Sequence, residues 1–271
     1  MICARLLPVA LLAIAAALLP ASAEAQGGVA DRCLAVSQAP RLIQPADFRP
    51  AALKPSEARL TFIGHSTWLI ESADAVKIAT DYNDYIRPPV TPDVATMNRA
   101  HTTHYSNFPD PDIKHVLRGW NPDGGPARHD LTVADVRVRN VATNIRDWSG
   151  GYVPHGNSIF IFEIGGMCIG HLGHLHHTLT EQQIAHIGQL DVVMVPIDGS
   201  YTMDVAGIVE VVKALRARLI LPMHYFNPYT LNRFLDRIRN DFPVETASEA
   251  TIVVSQPTLP SEPKVLVLPG N

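Results

Sequence analysis

Histidine is the residue type in this chain with the most chemistry to offer, and its placement matters more than its number. His101 and His104 stand three apart in AHTTHYSNF (100–108), His171, His174, His176 and His177 crowd HLGHLHH (171–177), and His224 lies in LPMHY (221–225). Imidazole is the commonest nitrogen donor to metal ions, and three such donors with an open fourth position make a catalytic zinc site. An H-x-x-H spacing in a loop is a weak signal by itself. Three clusters, each where an apolar run gives way to a loop, carry more weight, because ligand sites of layered α/β proteins form at strand ends. The sequence contains no G-x-S-x-G nucleophile elbow, no P-loop and no dinucleotide fingerprint, and Cys168 lies in no motif that would make it a nucleophile.

The elements around these clusters read as strands first, then strands alternating with helices. ARLTFIGHSTWLIES (58–72) gives two short apolar runs about Gly64–Thr67, the shape of a hairpin, and AVKIATDY (75–82) continues as a third strand. Residues 82–130, rich in Pro, Asp, Asn and His, read as one long irregular loop, and loops of that size inside a compact domain are usually functional. LTVADVRVRNVATN (131–144) alternates as a strand does, and SIFIFEIGGMCIGHL (158–172) is a hairpin turning at Gly165–Gly166. Thr180 and Gln183 match a capping box opening the helix TEQQIAHIG. DVVMVPI and ARLILPM are buried strands on either side of the amphipathic helix DVAGIVEVVKALR, and Asn227–Pro228 supplies an N-cap and N1 pair for the next helix. ATIVVSQ and KVLVLP close the chain as short strands. This order predicts an α/β protein in layers, two sheets with helices outside them.

The chain's 271 residues, 46% hydrophobic and 18% charged with a net charge of -4, suit one sizeable core and give no reason to expect nucleic acid or an anionic membrane as partner. The first 25 residues have the layout of a secretory signal peptide: Arg5, an apolar run, then A-x-A at Ala21–Ala23 and Ala23–Ala25. The expected organisation is a signal at 1–25, an N-terminal arm at 26–56 and one domain at 57–271, exported to a periplasm. In such a compartment Cys33 and Cys168 either pair as a disulfide or remain a free thiol and a buried small hydrophobe.

Several segments, in order, resemble the metallo-β-lactamase superfamily, in particular its UlaG-like and exported hydrolase branch: GHSTWLIE (64–71), ATDY (79–82), GNSIFIFE (156–163), CIGHLGHLHHTLTEQQIAHIGQLDVVMVPIDGSYTMD (168–204) and LPMHY. The resemblance implies a four-layer αββα sandwich with a metal site at one edge of its sheets. It also implies a metal loop H-x-H-x-D-H, which falls on residues 102–107. There only His104 keeps its identity, while Thr102, Ser106 and Asn107 take the other three places. His101, beside the lost first histidine, is a substitute, and Asn107 a weaker one. A further family histidine is missing from VATNIRD (141–147), with His155 a few residues on. The family's bridging aspartate, in H-L-G-D, is replaced by His174, and the last ligand histidine is His224.

Two dications within about 4 Å need bridging anions. With both carboxylates lost, the expectation is one zinc ion, or another divalent metal, on His104, His174 and His224 with His101 as a fourth donor. Asp81 matches a family aspartate that would orient a ligand imidazole, and with His174 it is the candidate catalytic residue. His65 is expected as a hydrogen-bonding residue under the site, and His171 stands where the family often has a histidine that does not bind the metal. His176 and His177 are expected outside the ligand set, and His115, His129 and His186 at the surface. The implied activity is hydrolysis of an ester, lactone, amide or phosphoester in a small molecule by a metal-bound hydroxide. The alternative is a non-catalytic binding or scaffold protein on the same fold.

Overall fold

A computed structural model describes residues 52–147 and 149–270. The signal segment, almost all of the N-terminal arm and Cys33 lie outside the described residues. Cys168 is buried and disulfide-bonded.

The chain forms β1 (Glu57–Gly64), β2 (Thr67–Glu71), β3 (Lys77–Ala79), β4 (Val94–Met97), β5 (His115–Arg118), β6 (Asp130–Val133) and β7 (Val136–Arg146). β8 (Tyr152–Ile164), β9 (Met167–His171), α1 (Glu181–Ile187), β10 (Val192–Pro196) and α2 (Val205–Leu215) follow. β11 (Leu219–Met223), α3 (Pro228–Ile238), β12 (Val244–Thr246), β13 (Thr251–Ser255) and β14 (Lys264–Val267) complete it. One sheet has six strands in the order β13-β1-β2-β3-β4-β5; the other has eight, in the order β12-β14-β11-β10-β9-β8-β7-β6.

The side-chain alternation of the strands explains how the sheets stack. On β8, Phe160 and Phe162 face the first sheet, where they meet Leu60, Trp68, Ile70 and Ile78, while Ile159 and Ile161 face the helices. β10 divides the same way: Val192 and Met194 point between the sheets and Val193 and Val195 under α2 and α3. A period of two residues on a strand buried on both faces produces this division. Fully burying one such aromatic or aliphatic side chain contributes roughly 1.5–3 kcal/mol.

The helix starts follow their local sequence. Thr180 Oγ1 accepts from the Gln183 amide at 3.1 Å and Gln183 Oε1 from the Thr180 amide at 3.0 Å, closing the expected capping box. Asn227 Oδ1 accepts from the Thr230 amide at 2.9 Å with Pro228 in the first turn. At the other end of α1 the Arg139 guanidinium donates to the carbonyls of His186 and Ile187, and its Nε donates to the buried Glu163. A cation there satisfies carbonyls that the helix leaves open.

The layered α/β sandwich is therefore observed. All three helices of the described residues cover the eight-stranded sheet. The outer side of the six-stranded sheet carries a smaller cluster of Ala79, Ala95, Met97, Tyr82 and Ile113, roofed among the described residues by loop rather than helix.

Two expectations are corrected. Residues 82–130 are not one irregular loop, because β4 and β5 run through them, pairing parallel with each other and β4 with β3. Both strands are four residues long between proline-rich and aspartate-rich stretches, too short to leave a periodic signal. LTVADVRVRNVATN is two strands, β6 and β7, because Ala134 turns the chain at φ 48°. Among the described residues no helix is long and apolar enough to cross a membrane.

Candidate metal centre

β9, β10 and β11 run parallel, so their C-terminal ends share one edge of the second sheet. That edge delivers His171 and His174 after β9, Asp198 after β10 and His224 after β11. The first sheet brings His65 from the turn after β1, Asp81 from the end of β3, and His101 and His104 from the loop after β4. The two sets meet across the sandwich. His65, His104 and His224 each offer a ring nitrogen, and the three nitrogens lie within 4.8 Å of one another.

Backbone geometry is unusual here. Among the described residues seven non-glycine residues have positive φ, and three of them are His65 (52°), Asp81 (43°) and His224 (56°). Such conformations are held only where the surroundings impose them, and they cluster at functional sites. One constraint is visible: the His224 amide donates to the His65 carbonyl at 2.6 Å, tying the two loops together.

Each of two imidazoles in the trio has a carboxylate behind it. His104 Nδ1 lies 2.6 Å from Asp81 Oδ2, with Ser66 Oγ 3.2 Å from the same nitrogen. Asp81 is anchored by the Asn98 amide at 3.0 Å, and Asn98 is itself held by the Ser158 amide at 2.7 Å. His224 Nδ1 lies 3.2 Å from Asp198 Oδ1, and Asp198 also accepts from the Ser200 amide and hydroxyl and from the Tyr201 and Thr202 amides. An ionised carboxylate can only accept, so it favours the proton on the Nδ1 it faces and leaves the lone pair on Nε2. His104 Nδ1 makes this contact as a hydrogen bond, while His224 Nδ1 stands near Asp198 without one. Those two Nε2 atoms are 3.1 Å apart, and Nδ1 of His65 is buried without a hydrogen-bond partner.

The electrostatics match that arrangement. Burial raises the Asp81 carboxyl above its ordinary value, and burial together with the neighbouring His224 lowers His104 well below its own. Asp198 is pushed up by burial, but the nearby His224 and the hydrogen bonds of Thr202 and the Ser200 amide outweigh this and hold it well below the ordinary carboxylate range. His65 falls to about 4, chiefly through burial and then through His224. Buried acids behind neutral imidazoles whose lone pairs converge make a cradle that lacks one positive charge. Two nitrogens each about 2.1 Å from one ion stand roughly 3.0–3.4 Å apart. The observed 3.1 Å separation fits a metal ion.

The remaining histidines sort around this trio. The His174 ring stands edge-on to His104 and His224 at centroid distances of 4.7 and 4.9 Å, and the His101 ring lies 4.8 Å from His174 and 6.2 Å from His104. His174 Nδ1 meets His176 Nε2 at 2.6 Å. His171 spends both nitrogens on the protein, Nε2 donating to the Ser66 carbonyl at 2.9 Å and Nδ1 accepting from the Gly173 amide at 3.2 Å. Asn107 is exposed. His155 lies away from the trio, in a cavity with Arg139, Gln183 and His186. His65, expected beneath the site, is instead part of the trio, because its positive φ turns the residue at the end of β1. Asp198 was not singled out from the sequence; a polar residue directly after the buried strand VVMVPI is the signal that points to it.

Beside the trio opens a cavity of about 460 Å³, lined among others by Arg99, His101, Ile145, Arg146, His176 and Tyr201. The half-exposed rings of Tyr201 and Phe226 stand edge-on to each other at 5.6 Å, and Phe226 stands 5.5 Å from the His224 ring.

The family model described as the beta-lactamase superfamily domain matches residues 59–224, the span from β1 through His224 that builds this centre. The chain belongs to that superfamily. A UPF0173 metal-dependent hydrolase of Salinibacter ruber is 22% identical over 214 residues, 68% of this chain and 91% of its own length. Ta0764 of Thermoplasma acidophilum, of the same description, is 30% identical over 190 residues, covering 69% of this chain and 73% of its own. A crystal structure of a metallo-beta-lactamase superfamily protein from Thermotoga maritima aligns with a TM-score of 0.56 and 28% identity, over 78% of this chain and 98% of that one.

Proposed function

We propose that this superfamily member is a metal-dependent hydrolase that holds a single ion, zinc or another divalent metal suited to imidazole, on His65, His104 and His224. The observation that carries the reading is the pair of Nε2 atoms 3.1 Å apart, each on a ring whose Nδ1 faces a buried carboxylate. A carboxylate behind a ligand imidazole fixes its tautomer and raises its basicity. The relatives named as metal-dependent hydrolases support the same reading. One ion rather than two is proposed because the trio is all imidazole. Its two neighbouring carboxylates, Asp81 and Asp198, face the Nδ1 side of the rings, away from the converging Nε2 atoms where a bridging anion would be needed.

When bound, such an ion supplies Lewis acidity, polarising a carbonyl or phosphoryl oxygen and acidifying water toward about pH 7. The chain's own residues do the rest. Asp81 and Asp198 hold the two imidazoles in register. The neighbouring cavity takes a small-molecule ester, lactone, amide or phosphoester, with the Tyr201 ring as an apolar wall and Arg99 as a cation in its lining. We assign the protein to an extracytoplasmic compartment on its N-terminal segment, and fractionation of a tagged full chain tests this.

Metal analysis of the purified protein, paired with an esterase, lactonase and phosphodiesterase panel, tests the reading. One ion per chain and a hydrolysed probe are expected, and His104→Ala with His224→Ala abolishes both. The second reading, a non-catalytic scaffold, takes the same 3.1 Å as a plain hydrogen bond between the two histidines, with one of the two Nε2 atoms carrying the proton. Protein that takes up no zinc, manganese or iron supports it.

A further inference from the structure

We propose that His174 serves this centre as a hydrogen-bond donor and not as a metal ligand, its tautomer dictated by Arg146 through His176. The proposal rests on the metal-centre reading for its catalytic consequence, but the tautomer follows from hydrogen bonds alone. His176 Nδ1 receives two donors that can do nothing but donate, the Arg146 amide at 3.3 Å and the Arg146 Nε at 3.0 Å. Nδ1 of His176 is therefore the bare nitrogen, and Nε2 of that ring carries the hydrogen. Nε2 lies 2.6 Å from His174 Nδ1, which must accept it. The hydrogen of His174 is thereby placed on Nε2. Arg146 is itself fixed, its guanidinium also donating to the carbonyls of Ser200 and Thr202.

The consequence lies at the far end of the relay. Nε2 of His174 is buried and meets no hydrogen-bond partner, on a ring packed against His101, His104 and His224. A buried N–H without a partner is costly and marks a group kept for a ligand. Its backing is opposite to that of His104 and His224: those rings have acceptors behind them and offer lone pairs, while His174 has a donor behind it and offers a proton. A protonated nitrogen cannot ligate an ion. Beside the trio it is placed to donate to the substrate oxygen on which charge grows during attack, with no proton changing owner. His174 is then a catalytic residue by contact, and His176 and Arg146 are positioning residues.

Two-bond 1H–15N spectra of the metal-free full chain, with ¹⁵N-histidine, read the tautomer directly; His174→Gln assigns the ring. A protonated Nε2 and bare Nδ1 are expected on His174, and a protonated Nδ1 overturns the proposal. Zinc titration gives a second readout. His174→Gln is expected to keep one ion with Kd within about threefold of the parent, while His224→Gln loses 100-fold or more. An equal loss in both makes His174 a ligand and overturns the proposal. If the parent binds no zinc, the metal reading fails, and the spectra alone decide the tautomer. On whichever probe ester is hydrolysed, His174→Ala is expected to lower kcat about 100-fold or more at unchanged zinc content. His176→Gln, which can still donate to His174, should retain most of that rate and His176→Leu should not; equal rates in the two overturn the positioning role.

Discussion

The two carboxylates behind His104 and His224 are the residues on which ion binding should depend most after the imidazoles themselves. Asp81→Asn keeps the volume and removes the charge, and a zinc competition titration is expected to show affinity lowered about 10- to 100-fold with the fold intact. Acid acts through the rings. His65 and His176 each fall to about 4, burial being the main cause in both, followed by His224 for the first and the Arg146 charge for the second. An imidazole depressed in the folded chain takes up its proton more readily when unfolded. Its contribution to stability is thus whole above the ordinary value of 6.5 and is lost as pH falls from 6.5 toward 4. Thermal melts of metal-free protein across pH 7.5–4 should show the midpoint dropping in that window. His104 and His224 were legible in the sequence because their clusters stand where strands give way to loops, and Asp81 through the resemblance to the superfamily. His65 was legible only as a hydrogen-bonding residue beneath the site, since nothing in GHST states that its backbone turns through a positive φ.

The strand ends and the turns that follow them decide whether these residues meet. Gly173, at φ 60° between His171 and His174, illustrates the tolerance. A Cβ there would collide with Asn157 Oδ1 and Asn98 Nδ2. Asn98 anchors Asp81, and Asn157 Oδ1 accepts from the His174 amide, so one methyl group disturbs both sides of the site. Gly173→Ala is expected to cost about 1–3 kcal/mol in chemical denaturation and to weaken zinc binding as well. The β8–β9 hairpin, the capping box at Thr180 and the Asn227–Pro228 helix start could be read ahead of the structure because each has a local signature. β4 and β5 could not, because four residues, all buried in β4 and none buried in β5, are too few to show a period, and their pairing is fixed by partners distant in sequence.

For the molecule as a whole, the order of strands and helices foretold two sheets in layers, but not that all three described helices lie on one of them. Nor does sequence order reveal that the centre draws equally on both sheets: His65, Asp81 and His104 come from the first, and His174, Asp198 and His224 from the second. An ion shared by His65, His104 and His224 would be a rivet between two halves otherwise joined by the apolar filling around Phe160 and Trp68 and by hydrogen bonds such as those of Asn98 with Ser158 and of His171 with Ser66. At a free concentration of about 100 Kd the ion adds about 2.7 kcal/mol to stability. Because its grip spans the filling, amide exchange should slow on zinc loading even at β13 and β6, at the outer margins of the two sheets. Exchange slowed only in the loops bearing the histidines would show that the halves are held without it. The same span means that sliding one sheet against the other by a fraction of a bond length pulls the three nitrogens apart, so the metal occupancy would report on strain anywhere in the sandwich.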